Sequence, residues 1–291
     1  MPALAASNHR IRRLRRLLGR RSARLDEAVF VLEGPTLVGE ALAAGSDVEA
    51  VFVDEQYHDA TGAAGRAEQA GVAVHLVSAG VLGALTEVVT PRPILAVATL
   101  PTFGLVDVVE RCRATRHHLL VLADVRDPGN LGTIIRAADA SGAAGVVATK
   151  GTVDPWSPKV VRSSAGAVLS VPIVSGAELA ATLRGCAEAV IPTWGTVVGE
   201  ATAYDQAVLG GAVAVVFGNE AHGLDPAVDQ LIDHRLTIPM EGSTESLNVA
   251  MAASVVCFEA LRQRRRGPLP PSGSSESDWT RPPGGDKVIG S

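Results

Sequence analysis

Six stretches in the second half of the chain are apolar at nearly every position: LLVLAD (119–124), GVVAT (145–149), VPIV (171–174), AVIPTW (189–194), AVAVVFG (212–218) and RLTIP (235–239). A strand without a polar face has to be covered on both sides, which a half-solvated antiparallel sheet does not do. The segments between them are long enough for helical crossovers. The expectation is a parallel sheet flanked by helices, spanning residues 118–263 and ending in a helix from Leu247 to about Gln263.

A shorter series of the same kind precedes it. AVFVLEG (28–34), VEAVFVD (48–54), VAVHLV (72–77) and PILAVATL (93–100) alternate with helical stretches such as PTLVGEALAAG. That cadence predicts a small α/β domain over 28–101, with 102–117 as a connecting helix. At 291 residues, 47% of them apolar, the chain can bury two cores. From Arg264 onward Pro, Gly and Ser dominate, so 264–291 reads as a disordered tail. There is no internal repeat.

The net charge of −5 conceals an asymmetry, because eight of the 26 basic residues fall between Arg10 and Arg24 with no acid among them. Ile11, Leu14 and Leu18 recur at helical spacing within that run, so residues 1–27 predict a helix with one docked and one cationic face. The cationic face, with Arg12, Arg13, Arg16 and Arg20, either meets RNA phosphates or is only solvated. No apolar run reaches the length of a membrane span, and the arginines are not followed by a signal-peptide core, which predicts a cytoplasmic protein. Cys112, Cys186 and Cys257 are too scattered for a disulfide framework or a zinc site, and His117 and His118 have no partner at ligand spacing; no metal is expected.

Three polar, glycine-bearing turns follow apolar strands. The first is DVRDPGNLGTIIRAAD, with Gly129 and Gly132 for a tight turn and close ligand approach, a helix expected from about Thr133, and Arg136 one turn inside it. The second is FGNEAHGL, with Gly218, Asn219, Glu220 and Gly223. The third, IPMEGSTESLNVAMAAS, lies between strand RLTIP and the last helix; alone, it is either a pocket wall or an ordinary turn before a buried helix. Its small residues Ala250, Ala252, Ala253 and Ser254 let that helix approach another backbone closely. In an open α/β sheet, ligands bind beyond the carboxyl ends of the strands, so the three turns can share one site. Neither GxGxxG after a strand nor GxxxxGK[ST] is present, which removes the main support for a nucleotide-dependent oxidoreductase.

Together GNLGTIIRAAD, FGNEAHGL and IPMEGSTESLNVAMA closely resemble the three motifs of the SpoU (TrmH) family of S-adenosylmethionine-dependent RNA ribose 2′-O-methyltransferases, in the family's order. The resemblance spans roughly Leu119 to Gln263, including SPKVVRSSAGAVLSVP. LEGPTLVGEALAAG is similar, less specifically, to the L30e-type substrate-binding domain of many members. The resemblance implies a trefoil-knotted α/β methyltransferase domain, a homodimer, and S-adenosylmethionine held by Gly218, Ile238, Met240, Leu247 and Asn248. It implies that Asn130, Glu220, Ser246 and Asn248 order the pocket, and that Arg136 is the catalytic arginine. Arg136 either helps remove the hydroxyl proton or, being permanently charged, binds the neighbouring phosphate and stabilises the developing alkoxide.

Glu220 is either a general base or a loop-ordering acceptor; the second fits its neighbours better. His222 reads as a loop surface residue. Arg162, close to Lys159, either touches RNA phosphates or is solvated. The leading expectation is ribosomal RNA, in particular 23S, as substrate. Transfer RNA and a non-catalytic role in ribosome assembly stand beside it.

Overall fold

The computed structural model describes residues 2–57, 62–86, 93–219, 223–224, 228 and 230–266. In its first half, helices α1 (His9–Gly19) and α2 (Arg21–Glu27) lead into β1 (Val29–Glu33), α3 (Pro35–Ala43), β2 (Val48–Asp54), α4 (Ala63–Gln69), β3 (Ala73–Val77) and β4 (Ile94–Thr99). The sheet order is β1-β4-β2-β3, with β4 antiparallel to both neighbours and β3 parallel to β2. Alternation along the strands divides the core. Leu32, Val51, Val53 and Ile94 face α3 and α4, while Val29, Val31, Phe52 and Val97 face α1.

The arginine-rich segment is two helices. Arg20, with extended backbone (φ −129°, ψ 118°), breaks it, and the docked stripe is Ile11, Leu14 and Leu17, with Leu18 only half-buried. The docked face is as the spacing predicts, displaced by one residue at its end.

The second half runs α5 (Leu105–Thr115), β5 (Leu119–Leu122), α6 (Pro128–Ser141), β6 (Gly145–Thr149), α7 (Pro158–Ser163), β7 (Ile173–Ala177), α8 (Leu179–Glu188), β8 (Thr193–Thr196), β9 (Thr202–Ala203), β10 (Ala214–Phe217), β11 (His234–Thr237) and α9 (Val249–Arg266). Its strands pair in the order β7-β6-β5-β10-β8-β11-β9, every ladder parallel. Two apolar layers cover it, as strands such as LLVL require: Leu120 and Leu122 pack on the α6 and α9 side, Leu119 and Val121 on the α5 and α8 side.

Two local differences have physical causes. The stretch AVIPTW begins its ladder only at Thr193, because Val190 takes a positive φ (56°) at the end of α8 and proline follows at 192. The connector at 102–117 is more than a tether: Val108, Val109 and Cys112 of α5 are buried against the parallel sheet. At the other end α9 continues to Arg266, so the first three residues of the expected tail are helical; 267–291 lie outside the described residues.

The halves are clamped together. Arg24 donates to Asp154 from Nη2 at 2.6 Å, with side chains only 5% and 7% exposed, and from Nη1 to the Leu17 carbonyl at 2.5 Å. Beside this pair Phe30 of β1 packs against Trp156 with the rings tilted by 56° and centroids 5.0 Å apart, and Arg162 of α7 pairs with Glu33 at 2.6 Å. Burial pushes the thiols of Cys112, Cys186 and Cys257 up to about 12, 11 and 12, as for core residues rather than nucleophiles.

Candidate active site at the strand ends

The sheet changes direction between β5 and β10: the chain builds outward through β6 and β7, then returns to the other side of β5. At such a switch point the loops leaving neighbouring strands diverge and open a crevice. The loop after β5 is shaped by Asp124, which has a positive φ of 59° and a bidentate pair with Arg126 at 2.9 Å. Asp127 then caps α6, its Oδ1 accepting from the Asn130 amide at 2.8 Å, and Pro128 occupies the first turn.

The loop after β10 is tied to the first. Asn219 donates from Nδ2 to the Asp124 carbonyl at 3.0 Å and to Oδ2 at 3.1 Å. Gly218 is there for space: a Cβ would stand 2.5 Å from the Gly223 carbonyl carbon. Glu220 and His222 lie outside the described residues.

The loop after β11 meets the first through Asn248, whose Nδ2 donates to Asn130 Oδ1 at 3.0 Å while its own Oδ1 caps α9 by accepting from the Ala250 amide at 2.9 Å. One side chain thus fixes both the helix start and the distance between two loops. Among the described residues, 238–247 make no backbone hydrogen bond, although Ile238 packs against the core and Met240 and Leu247 are half-buried. A loop anchored at both ends therefore presents unused amides and carbonyls.

Asn130 and Asn248 are brought together, and Gly218 sits beside the Asn219–Asp124 link. Ser246 is exposed and makes no hydrogen bond among the described residues. Arg136 projects from α6 to solvent, without an ion-pair partner among the described residues. Gly132 serves packing rather than ligand approach, because a Cβ there would be 1.9 Å from Ser163 Oγ of α7. Asn219 is named from the sequence only as part of the second turn and Asp124 not at all; the aspartate's positive φ leaves no mark in a single chain.

The N-terminal arginines divide into two groups. Arg13 is held by Glu27 and Glu49, Arg16 by Glu27 and Arg24 by Asp154, and on α7 the expected RNA contact Arg162 is likewise held, by Glu33. Burial pushes the Glu27 carboxyl up, but hydrogen bonds from Arg13 and Arg16 outweigh it and leave its pKa below the usual value. Arg12 and Arg20 are exposed without ion-pair partners among the described residues, as are Arg10, Arg15 and Arg21. No group of three His, Cys, Asp or Glu suited to a metal occurs among the described residues, nor does a helix long and apolar enough to cross a membrane.

A doubly wound parallel sheet, with the loops after β10 and β11 each tied to the loop after β5 at its switch point and a second α/β domain in front of it, defines a two-domain α/β protein. Residues 117–258 match the SpoU rRNA Methylase family and residues 8–96 the MRM3-like substrate binding domain. The chain is 30% identical over 254 residues to the 23S rRNA (guanosine(2553)-2′-O)-methyltransferase RlmP of Bacillus subtilis, covering 87% of this chain and 96% of that one. It is 33% identical over 276 residues to the 23S rRNA (uridine(2479)-2′-O)-methyltransferase of Streptomyces viridochromogenes, covering 91% and 93%. The crystal structure of the SpoU methyltransferase AviRb from Streptomyces viridochromogenes in complex with the cofactor AdoMet superposes with a TM-score of 0.77 at 29% identity, over 89% of this chain and 100% of that one. The chain belongs to the SpoU family of RNA methyltransferases.

Proposed function

We propose that this protein transfers a methyl group from S-adenosylmethionine to a ribose 2′-hydroxyl of 23S ribosomal RNA. The observation that carries the reading is the loop 238–247, whose backbone makes no hydrogen bond among the described residues, lies between the partly buried Ile238 and Leu247 and is tied by Asn248 to the loop after β5. Those residues fit the cofactor: free amides and carbonyls suit its polar edges, and Ile238, Met240 and Leu247 offer apolar contact beside Gly218. The bound cofactor supplies a methyl group on a positively charged sulfur. Full-length relatives that act on 23S rRNA favour that substrate over transfer RNA.

In this reading Asn130 and Asn248 hold the pocket loops in register, so the hydroxyl and methyl donor meet in line. Arg136, with no carboxylate paired to it among the described residues, binds the phosphate next to the target ribose and stabilises charge developing on the 2′-oxygen as its proton leaves. The family motifs give Ser246 and Glu220 the same pocket-ordering role. The return of α9 from β11 to pack on α6 supports a chain threaded as a trefoil knot. Met251 (58% exposed) and Phe258 (50% exposed), with Val255 between them, form an apolar stripe on α9 suited to a two-fold homodimer. The cell compartment proposed is the cytoplasm, where ribosomal RNA and the donor meet.

Incubation with S-adenosylmethionine and a 23S rRNA transcript, then nucleoside mass spectrometry, is expected to show one 2′-O-methylated nucleoside. RNA bound together with cofactor but left unmethylated would refute the assignment.

A further inference from the structure

Helix α1 covers the sheet of the N-terminal domain only in part. Between it and β3 lies a cleft of about 190 Å³, open to solvent, on the face of the sheet opposite α3 and α4. Its floor is Phe52, and His75 of β3 tilts against that ring with centroids 5.3 Å apart. Its rim is cationic. Arg10 is exposed with no ion-pair partner among the described residues, while Arg13 is locked by Glu27 and by a bidentate grip on Glu49.

We propose that this cleft binds one unpaired RNA nucleotide, with the base against His75 and Phe52 and its phosphate on Arg10, as an anchor separate from the methyl-transfer site. The inference rests on the RNA-methyltransferase reading given above. The partly exposed His75 ring provides the stacking surface, backed by Phe52, which is 3% exposed and tilted 47° to it; splayed-out bases use such a surface and paired ones do not. A cleft of this volume admits a single planar base and excludes a duplex. The free guanidinium supplies the phosphate contact, whereas Arg13, already satisfied by two carboxylates, forms a fixed wall. Burial, then the nearby charge of Arg10, lowers the His75 pKa, so a neutral imidazole faces the base and does not repel the arginine.

The test uses the full chain, a labelled short single-stranded RNA and a 23S rRNA transcript, with affinity measured across a salt series. His75→Ala is expected to weaken binding roughly tenfold at unchanged salt dependence, as loss of one stacked base does, and His75→Phe to restore it. Arg10→Ala is expected to reduce the slope of log K against log salt by about 0.7, the signature of one lost phosphate contact on a single strand. Arg184→Ala, an exposed arginine on α8, is expected to leave the slope alone. Photocrosslinking of thiouridine-bearing RNA is expected to mark the peptide that contains His75. Wild-type affinity and slope in both cleft variants, all melting like the parent, would overturn the site while leaving the methyltransferase reading intact; a cleft that closes over a protein segment would give that result. Failure of the parent chain to bind either RNA would overturn both.

Discussion

Arg13 and Arg16 are held between carboxylates while Arg136 projects bare from α6, and that difference decides which guanidinium is free to meet a phosphate. Replacing Arg136 by alanine is expected to lower kcat by about 10²–10³, the range seen when a transition-state donor is removed, with cofactor affinity unchanged by calorimetry. Lysine there should recover only part, since it keeps the charge and loses the planar fork. His118 makes a second residue-scale prediction. It is fully buried, its Nε2 3.1 Å from Ser141 Oγ, and burial followed by the Arg264 charge pushes its pKa down to about 3. The unfolded chain therefore binds a proton that the folded one refuses between about pH 6.5 and 3. This contribution is fully present above that window and is lost as pH falls, by up to about 1.4 kcal/mol per pH unit. Urea unfolding at neutral and mildly acidic pH should show a shallower loss for His118→Leu than for the parent.

Helices α6 and α9 together set the geometry of the pocket, and each depends on one small contact. Gly132→Ala would drive a methyl group into Ser163 Oγ and the Val160 carbonyl, 1.9 and 2.8 Å from the added carbon. It is expected to cost about 1–3 kcal/mol by overpacking and to lower Tm visibly in a calorimetric scan. Asn248→Ala removes a helix cap worth about 1 kcal/mol and the bond to Asn130, so KM for the methyl donor should rise more than stability falls. Much of this level was legible in the sequence. Unbroken apolar strands specify a parallel sheet, but the start of α6 falls five residues before the expected Thr133, because Asp127 caps the helix at Pro128 and draws the glycine-bearing run 128–132 into its first turns. Other features were not. The β8 boundary depends on a positive φ at Val190, and Arg24 and Asp154 stand 130 residues apart with nothing in either neighbourhood to announce the other. The small residues of α9 suggested close approach without saying to what. Ala250 and Ala253 are buried within the chain's own core, and the exposed apolar face is Met251 and Phe258.

At the scale of the whole molecule, the junction between domains is a buried ion pair and an aromatic contact rather than a hinge. Removing one partner, as in Arg24→Met or Asp154→Leu, leaves an uncompensated buried charge and is expected to cost about 3–5 kcal/mol in urea unfolding; the double variant should lose markedly less than the sum. Introducing aspartate at Met251 and Phe258 should turn the proposed dimer into a folded monomer in light scattering. A junction of this kind turns the molecule into a caliper. With the Arg24–Asp154 and Phe30–Trp156 contacts closed, the distance from the α1–β3 cleft to the loops at the strand ends is constant, so an RNA is measured by whether two of its nucleotides lie that far apart in its own fold. Selection then acts on RNA shape across that span, and a short strand carrying the right target base satisfies only one jaw.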